Sequence, residues 1–433
     1  MDVSLLATIV LIGGFFLLIL LRVPITFALL ISTLSSALIS GTNLSVMVNQ
    51  MVQGANNFSL LAIPFFILMG EIMSEGGISE KIVDLANLVV GRFRGGLAYV
   101  NVLDSMFFGG LSGSAVADVS SLGSIVIPMM NKQGYKPEFS VSLTVVTACQ
   151  GVLIPPSHNM VIYALAAGGA VTVGNMLIAG LLPGFLLGAA LMVLCFFLAN
   201  HYDFPKGEAG AYKGRVGSII LNAIAPMMIF VIILGGIAAG VFTATESAAV
   251  ACVYTFLITY FLFRSAKLRN FGHVLRRSLK TLAVVMTLIA TAKAFAYMMT
   301  DLRIPEKITA ALLTVTHNKV LLLLLINLLL LVLGCFMDMA PLIMIMTPIL
   351  LPVVTSPSIG MHPVHFGVML IFNLAIGLCT PPVGNALFVG CAVGKTSIEK
   401  TSVAMLPMYG AMIVALLLVT FVPFFSLWLP GLM

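Results

Sequence analysis

The chain has 433 residues, of which 60% are hydrophobic and only 8% charged, with a formal net charge of +6. Because soluble globular domains carry about 25% charged residues, this composition excludes a soluble domain and indicates a polytopic membrane protein. The apolar runs 4–21 and 320–336 approach or reach the roughly 20 residues that a membrane-spanning helix requires. No alternating strand pattern competes with these runs, so a transmembrane barrel is not expected.

Helix-breaking residues divide the apolar sequence into two groups of predicted helices, separated by a polar linker at 201–216. The first run lacks a basic n-region and a cleavage site, so it is expected to be a retained helix rather than a signal peptide. Two amphipathic stretches, 78–93 and 274–285, are predicted to lie along the membrane surface. The other helices are predicted near 4–21, 24–41, 59–74, 95–111, 115–130, 138–153, 157–168, 172–199, 218–240, 243–263, 281–300, 319–336, 340–354, 362–379, 383–394 and 403–429.

Charge and cysteine usage argue against other classes of protein. The segment 264–280 carries six Lys or Arg and no acid beside long apolar flanks, which is typical of a cytoplasmic loop or an interfacial helix. Nucleic-acid binding is therefore not expected. The six cysteines occur singly in apolar segments, which predicts neither a disulfide framework nor a metal site.

An internal repeat explains why several predicted helices are too short to span a membrane alone. Matching residues recur 224 positions apart: Gly110 and Gly334, Ser114 and Asp338, Pro128 and Pro352, and Pro183 and Pro407. The motifs PPSHN (155–159) and PPVGN (381–385) recur 226 positions apart. These correspondences predict an all-α polytopic membrane protein built from two inverted-topology repeats, each with a helical hairpin and a broken helix.

Each predicted repeat has its own boundaries. The first covers 1–200, with scaffold helices, a hairpin at about 95–130 and a broken helix at about 138–168. The second covers 217–433, with scaffold helices, a hairpin at about 319–354 and a broken helix at about 362–394.

Adjacent prolines break a membrane-embedded helix in each half and leave the preceding carbonyl groups without helical partners. Such backbone is tolerated at membrane depth only where it lines a cavity or binds something. Unwound carbonyls and half-helix C-termini suit a small hard cation, whereas half-helix N-termini suit an anionic group. The duplicated breaks therefore predict a Na⁺-coupled secondary transporter of an anion.

Isolated polar residues in apolar sequence are further candidates. In the Gly- and Ser-rich segment 107–124, Ser114 and Asp118 would share one face of a helix, although such small residues also form helix-packing interfaces. Asp118, Glu246 and Asp338 are costly in apolar surroundings, so each is either functional or a partner in an interhelical hydrogen bond. Asp118 and Asp338 also leave open an intramembrane aspartyl protease, in which they would share a proton. The repeat does not place these two acids at equivalent positions, which argues against an enzyme.

Five ordered motifs, at 56–73, 109–130, 240–250, 335–352 and 366–389, resemble the large membrane subunit (DctM-like permease) of tripartite ATP-independent periplasmic (TRAP) transporters. The resemblance covers nearly the whole chain. It implies an elevator-type symporter of the bacterial inner membrane, in which transport and scaffold domains move against each other and Na⁺ drives uptake of an organic acid.

The resemblance also implies partners and substrates. A periplasmic substrate-binding protein would deliver the substrate, and a separate small four-helix membrane subunit would brace the scaffold. The implied substrates are carboxylates such as sialic acids, sugar acids or dicarboxylates, and no organic cofactor is implied. A stand-alone divalent-anion/Na⁺ symporter with similar hairpins is the alternative.

Candidate site residues follow from matching the family's motifs. One implied Na⁺ position involves Ser112, Gly151, Ile154 and Pro156, and the other involves Gly334, Gly377, Thr380 and Val383. The candidates for substrate contact or coupling are Ser114, Asp118, Asn159, Glu246 and Asn385. The first break departs from the family pattern, because Ser157 and His158 stand where apolar residues and a further proline are usual.

Overall fold

The computed structural model describes residues 3–206, 215–315 and 318–432, so residues 207–214 of the predicted linker lie outside the described residues. Within these ranges the chain forms helices and no strand; a single isolated bridge joins Arg94 and Lys206. The all-α prediction is therefore confirmed. Seven helices or continuous helical runs in the described ranges are long and apolar enough to cross a membrane: Val3–Leu20, Phe58–Glu75, Val173–His201, Val216–Ala238, Ala244–Leu262, Leu268–Asp301 and Ile398–Phe421.

Twelve helices precede the linker. They are α1 (Val3–Leu20), α2 (Ile25–Ser40), α3 (Leu44–Ala55), α4 (Ala62–Glu75), α5 (Ile78–Val90), α6 (Gly96–Ser112), α7 (Ala115–Ser121), α8 (Gly123–Lys132), α9 (Pro137–Gly151), α10 (His158–Ala166), α11 (Val173–Ala179) and α12 (Leu181–His201).

The helices after the linker repeat much of this order. They are α13 (Val216–Phe230), α14 (Gly236–Ala238), α15 (Ala244–Leu257), α16 (Phe271–Asp301), α17 (Ile304–Val315), α18 (Lys319–Gly334), α19 (Met339–Val354), α20 (Pro363–Leu378), α21 (Asn385–Gly394), α22 (Ile398–Phe421) and α23 (Phe424–Leu427). Short π segments, Val231–Gly235 and Ile258–Leu262, follow α13 and α15.

The helix α3 is missing from the predicted elements. Polar residues such as Asn49, Gln50 and Gln53 interrupt its apolar positions, so no apolar run marks it. Its start is nevertheless encoded locally, because the Asn43 side chain accepts a hydrogen bond from the backbone N–H of Ser45 at 2.8 Å. The shorter helix α17 was also not predicted.

The amphipathic stretch predicted at 274–285 is not a separate surface element, because it runs directly into the helix predicted at 281–300. Together they form the 31-residue helix α16. Arg277 explains how its charge is accommodated: it forms ion pairs with Glu71 and Glu75 of α4 at 3.1 and 3.0 Å. The acids on α4 thus allow the charged end of α16 to pack against another helix.

Each half contains a hairpin followed by a broken helix. In the first half, α6 turns at Gly113 into α7 and α8, and α9 is separated from α10 by the Pro-Pro segment. In the second half, α18 turns into α19, and α20 is separated from α21 by its own Pro-Pro segment. Both Pro-Pro peptide bonds are cis.

The two halves interlock through these elements. The helix α21 of the second half packs on α7, α8 and α9 of the first, while α10 of the first half packs on α19 and α20 of the second. Gly390 and Gly394 of α21 allow the close approach, since a Cβ atom on either would clash with the side chain of Val141 or Val145 in α9. The hairpins and broken helices therefore form one packed block, called here the central block. A second group, α1 to α4 with α15 and α16, packs mainly within itself.

Candidate functional site

The first break meets the tip of the first hairpin. Gly113 has φ +64°, a left-handed conformation that favours glycine. The position that a Cβ atom would take on Gly113 is 3.0 Å from the carbonyl oxygen of Pro156 and 3.3 Å from Nδ1 of His158. Ser112, the last residue of α6, is half-buried, and its Oγ lies 3.3 Å from the carbonyl oxygen of Gly109. Hydroxyl and carbonyl oxygens thus converge at this tip.

Glycines bring the first break and α6 into contact. Gly151 ends α9, and its missing Cβ would lie 2.5 Å from the Cα of Gly109 and 2.9 Å from the carbonyl oxygen of Ser105. The backbone N–H of Ile154 donates to the carbonyl of Gly151 at 3.2 Å. Ile154 and Pro156 are buried in the break. All four sequence-predicted residues of the first ion position therefore lie around one crossing of α6 and α9.

The second break repeats this arrangement. A Cβ atom on Gly377 would lie 2.6 Å from the carbonyl carbon of Gly334, at the crossing of α18 and α20. The backbone N–H of Val383 donates to the carbonyl of Cys335, in the turn of the second hairpin, at 3.0 Å. The half-buried Thr380 donates its hydroxyl to the carbonyl of Ile376 at 2.7 Å, which leaves the oxygen lone pairs of Oγ1 as acceptors. These four predicted residues also lie together.

Two buried hydrogen bonds between side chains, called here the polar bridges, connect the helices beside the breaks. Neither was predicted from the sequence. Thr147 of α9 donates to Oδ1 of Asn101 in α6 at 3.1 Å. In the second half, Nδ2 of Asn373 in α20 donates to Oδ1 of Asn327 in α18 at 2.9 Å. Each pair is 46 residues apart, and the pairs themselves are 226 residues apart, as the Pro-Pro motifs are. The shared spacing of these polar residues in apolar helices is the feature of the sequence from which both bridges could have been predicted.

Two tyrosines form hydrogen bonds to the backbone of the second broken helix, and neither contact was predicted from the sequence. The hydroxyl of Tyr409 in α22 donates to the carbonyl of Cys379 in the second break at 2.6 Å. The hydroxyl of Tyr163 in α10 donates to the carbonyl of Pro363 at the start of α20, also at 2.6 Å. A lone tyrosine in an apolar helix gives no sequence signal for such a contact.

Four of the five candidates for substrate contact or coupling lie in the central block. Ser114 caps α7, accepting from the backbone N–H of Ala117 at 3.4 Å, and is half-buried at the first tip. Asn159 is buried, at 4% exposure, in the first turn of α10, and Asn385 is half-buried at the start of α21. Asp118 is fully buried in α7. These residues belong to the central block.

Glu246 lies apart from the breaks and closes a capping box. Its carboxylate accepts from the backbone N–H and the hydroxyl of Thr243 at 2.8 and 2.9 Å, and its helix α15 packs mainly on α4. The side chain is exposed. Its observed interactions are those of an N-terminal helix cap.

Asp118 and Asp338 occupy different environments. Asp118 is fully buried, whereas Asp338 is exposed and caps α19 by accepting from the backbone N–H of Met339 at 3.0 Å. The helix α10, which begins at His158, packs on α19, which begins directly after Asp338. The first break thus faces the tip of the second hairpin. Nothing in this geometry resembles two acids that share a proton in a protease.

The ends of the half-helices give each break a defined electrostatic character. The C-terminal end of α9, at Gly151, presents carbonyl dipoles with partial negative charge, while the N-terminal end of α10, at His158, presents N–H groups with partial positive charge. The same polarity holds in the second half, where α20 ends at Leu378 and α21 begins at Asn385. Each break can therefore hold a cation at one end and attract an anion at the other.

Sequence comparisons identify relatives over nearly the full chain. A Salmonella typhimurium protein of uncharacterised function, YgiK, is 41% identical over 427 residues, covering 98% of this chain and 97% of its own. The C4-dicarboxylate TRAP transporter large permease protein DctM of Vibrio cholerae is 39% identical and covers 88% of this chain and 87% of its own. The sialic acid TRAP transporter large permease protein SiaM of the same species is 36% identical, with coverage of 94% and 95%.

The fold is also found in solved transporter structures. The Alcanivorax borkumensis YdaH transporter superposes with a TM-score of 0.59 over 89% of both chains, at 14% identity. Neisseria gonorrhoeae MtrF superposes with a TM-score of 0.60 over 91% of this chain and 85% of its own, at 13% identity. At these identities the likeness concerns the fold alone.

The family assignment follows from the sequence. The model of the tripartite ATP-independent periplasmic transporter, DctM component, matches residues 12–425. The relatives named for their activity are transporter permeases and not enzymes, and the helices are those of a multi-pass membrane protein. This chain belongs to the DctM family, the large permease component of TRAP transporters.

Proposed function

We propose that this protein carries out Na⁺-coupled secondary active uptake of a small organic acid across the bacterial inner membrane. The observation that carries the proposal is the duplicated break: Gly151 and Gly377 lie in the last turns of two half-helices, at equivalent crossings, with Ser112 and Cys335 at the adjacent hairpin tips. Na⁺ bound at both breaks would draw each tip towards its break and so complete a site for an anion.

The set of oxygens in each break suits a hard monovalent cation. The first position has the hydroxyl of Ser112 and the carbonyls of Gly151, Ile154 and Pro156. The second has the hydroxyl of Thr380 and the carbonyls of Gly334, Gly377 and Val383. Neutral oxygen ligands bind such an ion without the strong preference for a divalent cation that several carboxylates would bring.

The names of relatives support an acidic substrate. Besides the sialic acid and C4-dicarboxylate permeases, they include the 2,3-diketo-L-gulonate permease YiaN of Escherichia coli and an isethionate permease of Oleidesulfovibrio alaskensis. All four compounds are small organic anions. Ser114, Asn159 and Asn385, near the N-terminal ends of α7, α10 and α21, would contact the anionic group of such a substrate.

Movement of the central block against the second group of helices is the proposed transport step. The interlocking of α21 with α9 and of α10 with α19 ties both breaks into one unit, which favours motion of the block as a whole. A small four-helix membrane subunit would bind the second group, and a periplasmic binding protein would deliver the substrate. Both partners are proposed from family membership.

Uptake in proteoliposomes tests this function. The chain is reconstituted with its small subunit and offered labelled sialic acid, succinate, 2,3-diketo-L-gulonate and isethionate, with a neutral sugar as the control. We expect uptake of one acid that requires both the binding protein and an inward Na⁺ gradient. Uptake that does not need the binding protein would instead establish a stand-alone symporter, and uptake of the neutral sugar alone would refute an acidic substrate.

A further inference from the structure

A surface on which basic and apolar residues alternate lies at the beginning of the long helix α16. The helical runs Ala244–Leu262 and Leu268–Asp301 are both long and apolar enough to cross a membrane. Only the five residues 263–267 join them, so the adjoining ends of the two runs lie at the same membrane surface. The many Lys and Arg residues of the segment 264–280 indicate that this is the cytoplasmic surface.

One face of this part of α16 packs against the second group of helices. Val274 and Ser278 are buried. The Phe271 ring contacts the rings of Phe256 and Tyr260, with centroids 5.1 and 5.8 Å away. Successive residues of a helix are offset by 100°, so the other positions in these turns lie outside this contact.

A row of basic side chains occupies one of the remaining faces. Arg269, Arg276 and Lys280, called here the basic stripe, follow one another at intervals of seven and four residues, which places them on one side of a helix. All three side chains are exposed. Arg269 belongs to the short 3-10 turn Leu268–Asn270 directly before α16. At 1.5 Å per residue the basic stripe is about 17 Å long.

No acid cancels the charge of the basic stripe. The segment 264–280 contains no acid, and the two acids of α4, Glu71 and Glu75, both pair with Arg277, at 3.1 and 3.0 Å. Among the described residues, none of the three side chains of the basic stripe forms an ion pair. The stripe therefore presents three positive charges that the packed helices do not neutralise.

An exposed row of leucines runs beside the basic stripe. Leu268, Leu275 and Leu279, called here the apolar stripe, are 59%, 39% and 54% exposed. Each of them directly precedes one residue of the basic stripe in the sequence. The two stripes are therefore neighbouring faces of the same helix, offset by 100°.

A lipid fits both stripes, whereas other anions fit only one. Inorganic phosphate or a nucleic acid would pair with the basic stripe but would leave the leucines in water. A phospholipid places its phosphate at the membrane surface and its acyl chains directly below, and neighbouring basic and apolar faces are typical of helices at anionic membrane surfaces. A lipid with net negative charge is favoured over a zwitterionic one, because its headgroup has no ammonium group that competes for the phosphate.

We propose that the basic and apolar stripes form a binding site for anionic phospholipids of the cytoplasmic leaflet. The phosphate groups lie against the guanidinium and ammonium groups of the basic stripe, and the acyl chains lie along the leucines of the apolar stripe. Arginine can donate two parallel hydrogen bonds to one phosphate. The bound lipid holds the start of α16, and with it the second group of helices, at the membrane surface. This site depends neither on Na⁺ nor on a transported substrate.

Native mass spectrometry of the full chain in detergent tests the site without substrate or partner. The protein is mixed with equal amounts of phosphatidylglycerol and phosphatidylcholine with matching acyl chains, and the lipids that remain bound are counted. We expect a clear preference for phosphatidylglycerol. Each basic residue should contribute about fivefold to this preference, so each single Gln variant should lower it by that factor. The triple variant should lose most of it: Arg269→Gln, Arg276→Gln, Lys280→Gln.

Matched variants separate the site from general effects of charge and folding. A control triple variant removes the same charge from exposed positions elsewhere and should keep the preference: Lys132→Gln, Lys319→Gln, Lys400→Gln. The conservative double variant Arg269→Lys, Arg276→Lys should also keep most of it. The double variant Leu275→Ser, Leu279→Ser should retain less of both lipids. Size-exclusion chromatography checks that every variant is folded.

Thermal unfolding distinguishes a bound lipid from a free anion. Because a ligand that binds the folded state stabilises it, phosphatidylglycerol should raise the melting temperature of the wild type more than phosphatidylcholine does, and inorganic phosphate should have no effect. Equal retention of the two lipids by the wild type would overturn the proposal. So would an unchanged preference in the triple variant of the basic stripe, or stabilisation by inorganic phosphate alone.

Discussion

Thr380 places a side-chain oxygen at the second break. The proton of this hydroxyl is engaged in a hydrogen bond within its own chain segment. Its hydroxyl donates to the carbonyl of Ile376, four residues earlier, so the lone pairs of this oxygen can still act as acceptors. Ser112 plays the corresponding part at the first break through its own hydroxyl. At the scale of single residues, the two proposed ion positions are therefore built alike, from one hydroxyl and several carbonyls.

Replacing Thr380 with Ala should weaken Na⁺ binding without affecting folding. Loss of one ligand oxygen, worth about 1.4 kcal/mol, should raise the half-saturating Na⁺ concentration for uptake about tenfold. Thr380→Ser should retain nearly normal Na⁺ dependence. Thr355→Ala is the matched control, because the exposed Thr355 makes the same hydrogen bond to the residue four earlier, at 2.7 Å. An unchanged Na⁺ titration of Thr380→Ala would remove this residue from the site.

Glu246 shows how far residue-level prediction from the sequence extends. Its isolation in apolar sequence predicts either a functional acid or a hydrogen-bonded one, and the structure shows that its carboxylate caps a helix together with Thr243. The motif of Thr followed three residues later by Glu is the sequence signature of a capping box. The cap was therefore readable from the sequence. In contrast, the burial of Asp104 depends on which helices surround α6, which the sequence does not specify.

At the scale of elements, close crossings hold the breaks together. The crossings of α6 with α9 and of α18 with α20 both bring glycine against backbone, at Gly151 and Gly377. No side chain could be accommodated there without separating the helices. The carbonyl groups at the ends of α9 and α20 are thereby placed next to the hairpin tips.

Alanine at either crossing should destabilise the protein. In Gly377→Ala, the new methyl group would lie 2.6 Å from the carbonyl carbon of Gly334, and such overpacking costs roughly 1–3 kcal/mol. A lower melting temperature in detergent, measured by fluorescence-detected size exclusion, is the expected result. Gly410→Ala is the control, since nothing lies within 4 Å of its Cβ position, and it should be neutral or slightly stabilising. Equal melting temperatures for both variants would contradict the close crossing.

The boundaries of helices were predictable where helix-breaking residues interrupt an apolar run. The two Pro-Pro motifs marked the ends of α9 and α20 because proline removes a backbone donor. The helix α3 and the start of α16 were not predictable in this way, since polar residues in α3 and charged residues in α16 interrupt the apolar positions. Their stability comes from contacts with other helices, such as the ion pairs of Arg277 with α4.

At the scale of the whole molecule, the interlocked halves are the central feature. Because α21 packs on α9 and α10 packs on α19, the two breaks belong to one packed unit. The repeat itself was visible in the sequence from the matching prolines and glycines. The interlocking was not, since a repeat distance says nothing about which helices pack together across the two halves.

The initial rate of uptake as a function of external Na⁺ shows whether Na⁺ bound at both breaks drives transport. In proteoliposomes with a fixed substrate concentration, the duplicated breaks predict no uptake when Na⁺ is replaced by K⁺. They also predict that the uptake rate rises sigmoidally with Na⁺ concentration, because two ions would bind to one central block. Uptake that proceeds equally in K⁺ would contradict Na⁺ coupling. A hyperbolic Na⁺ dependence would contradict the loading of both breaks.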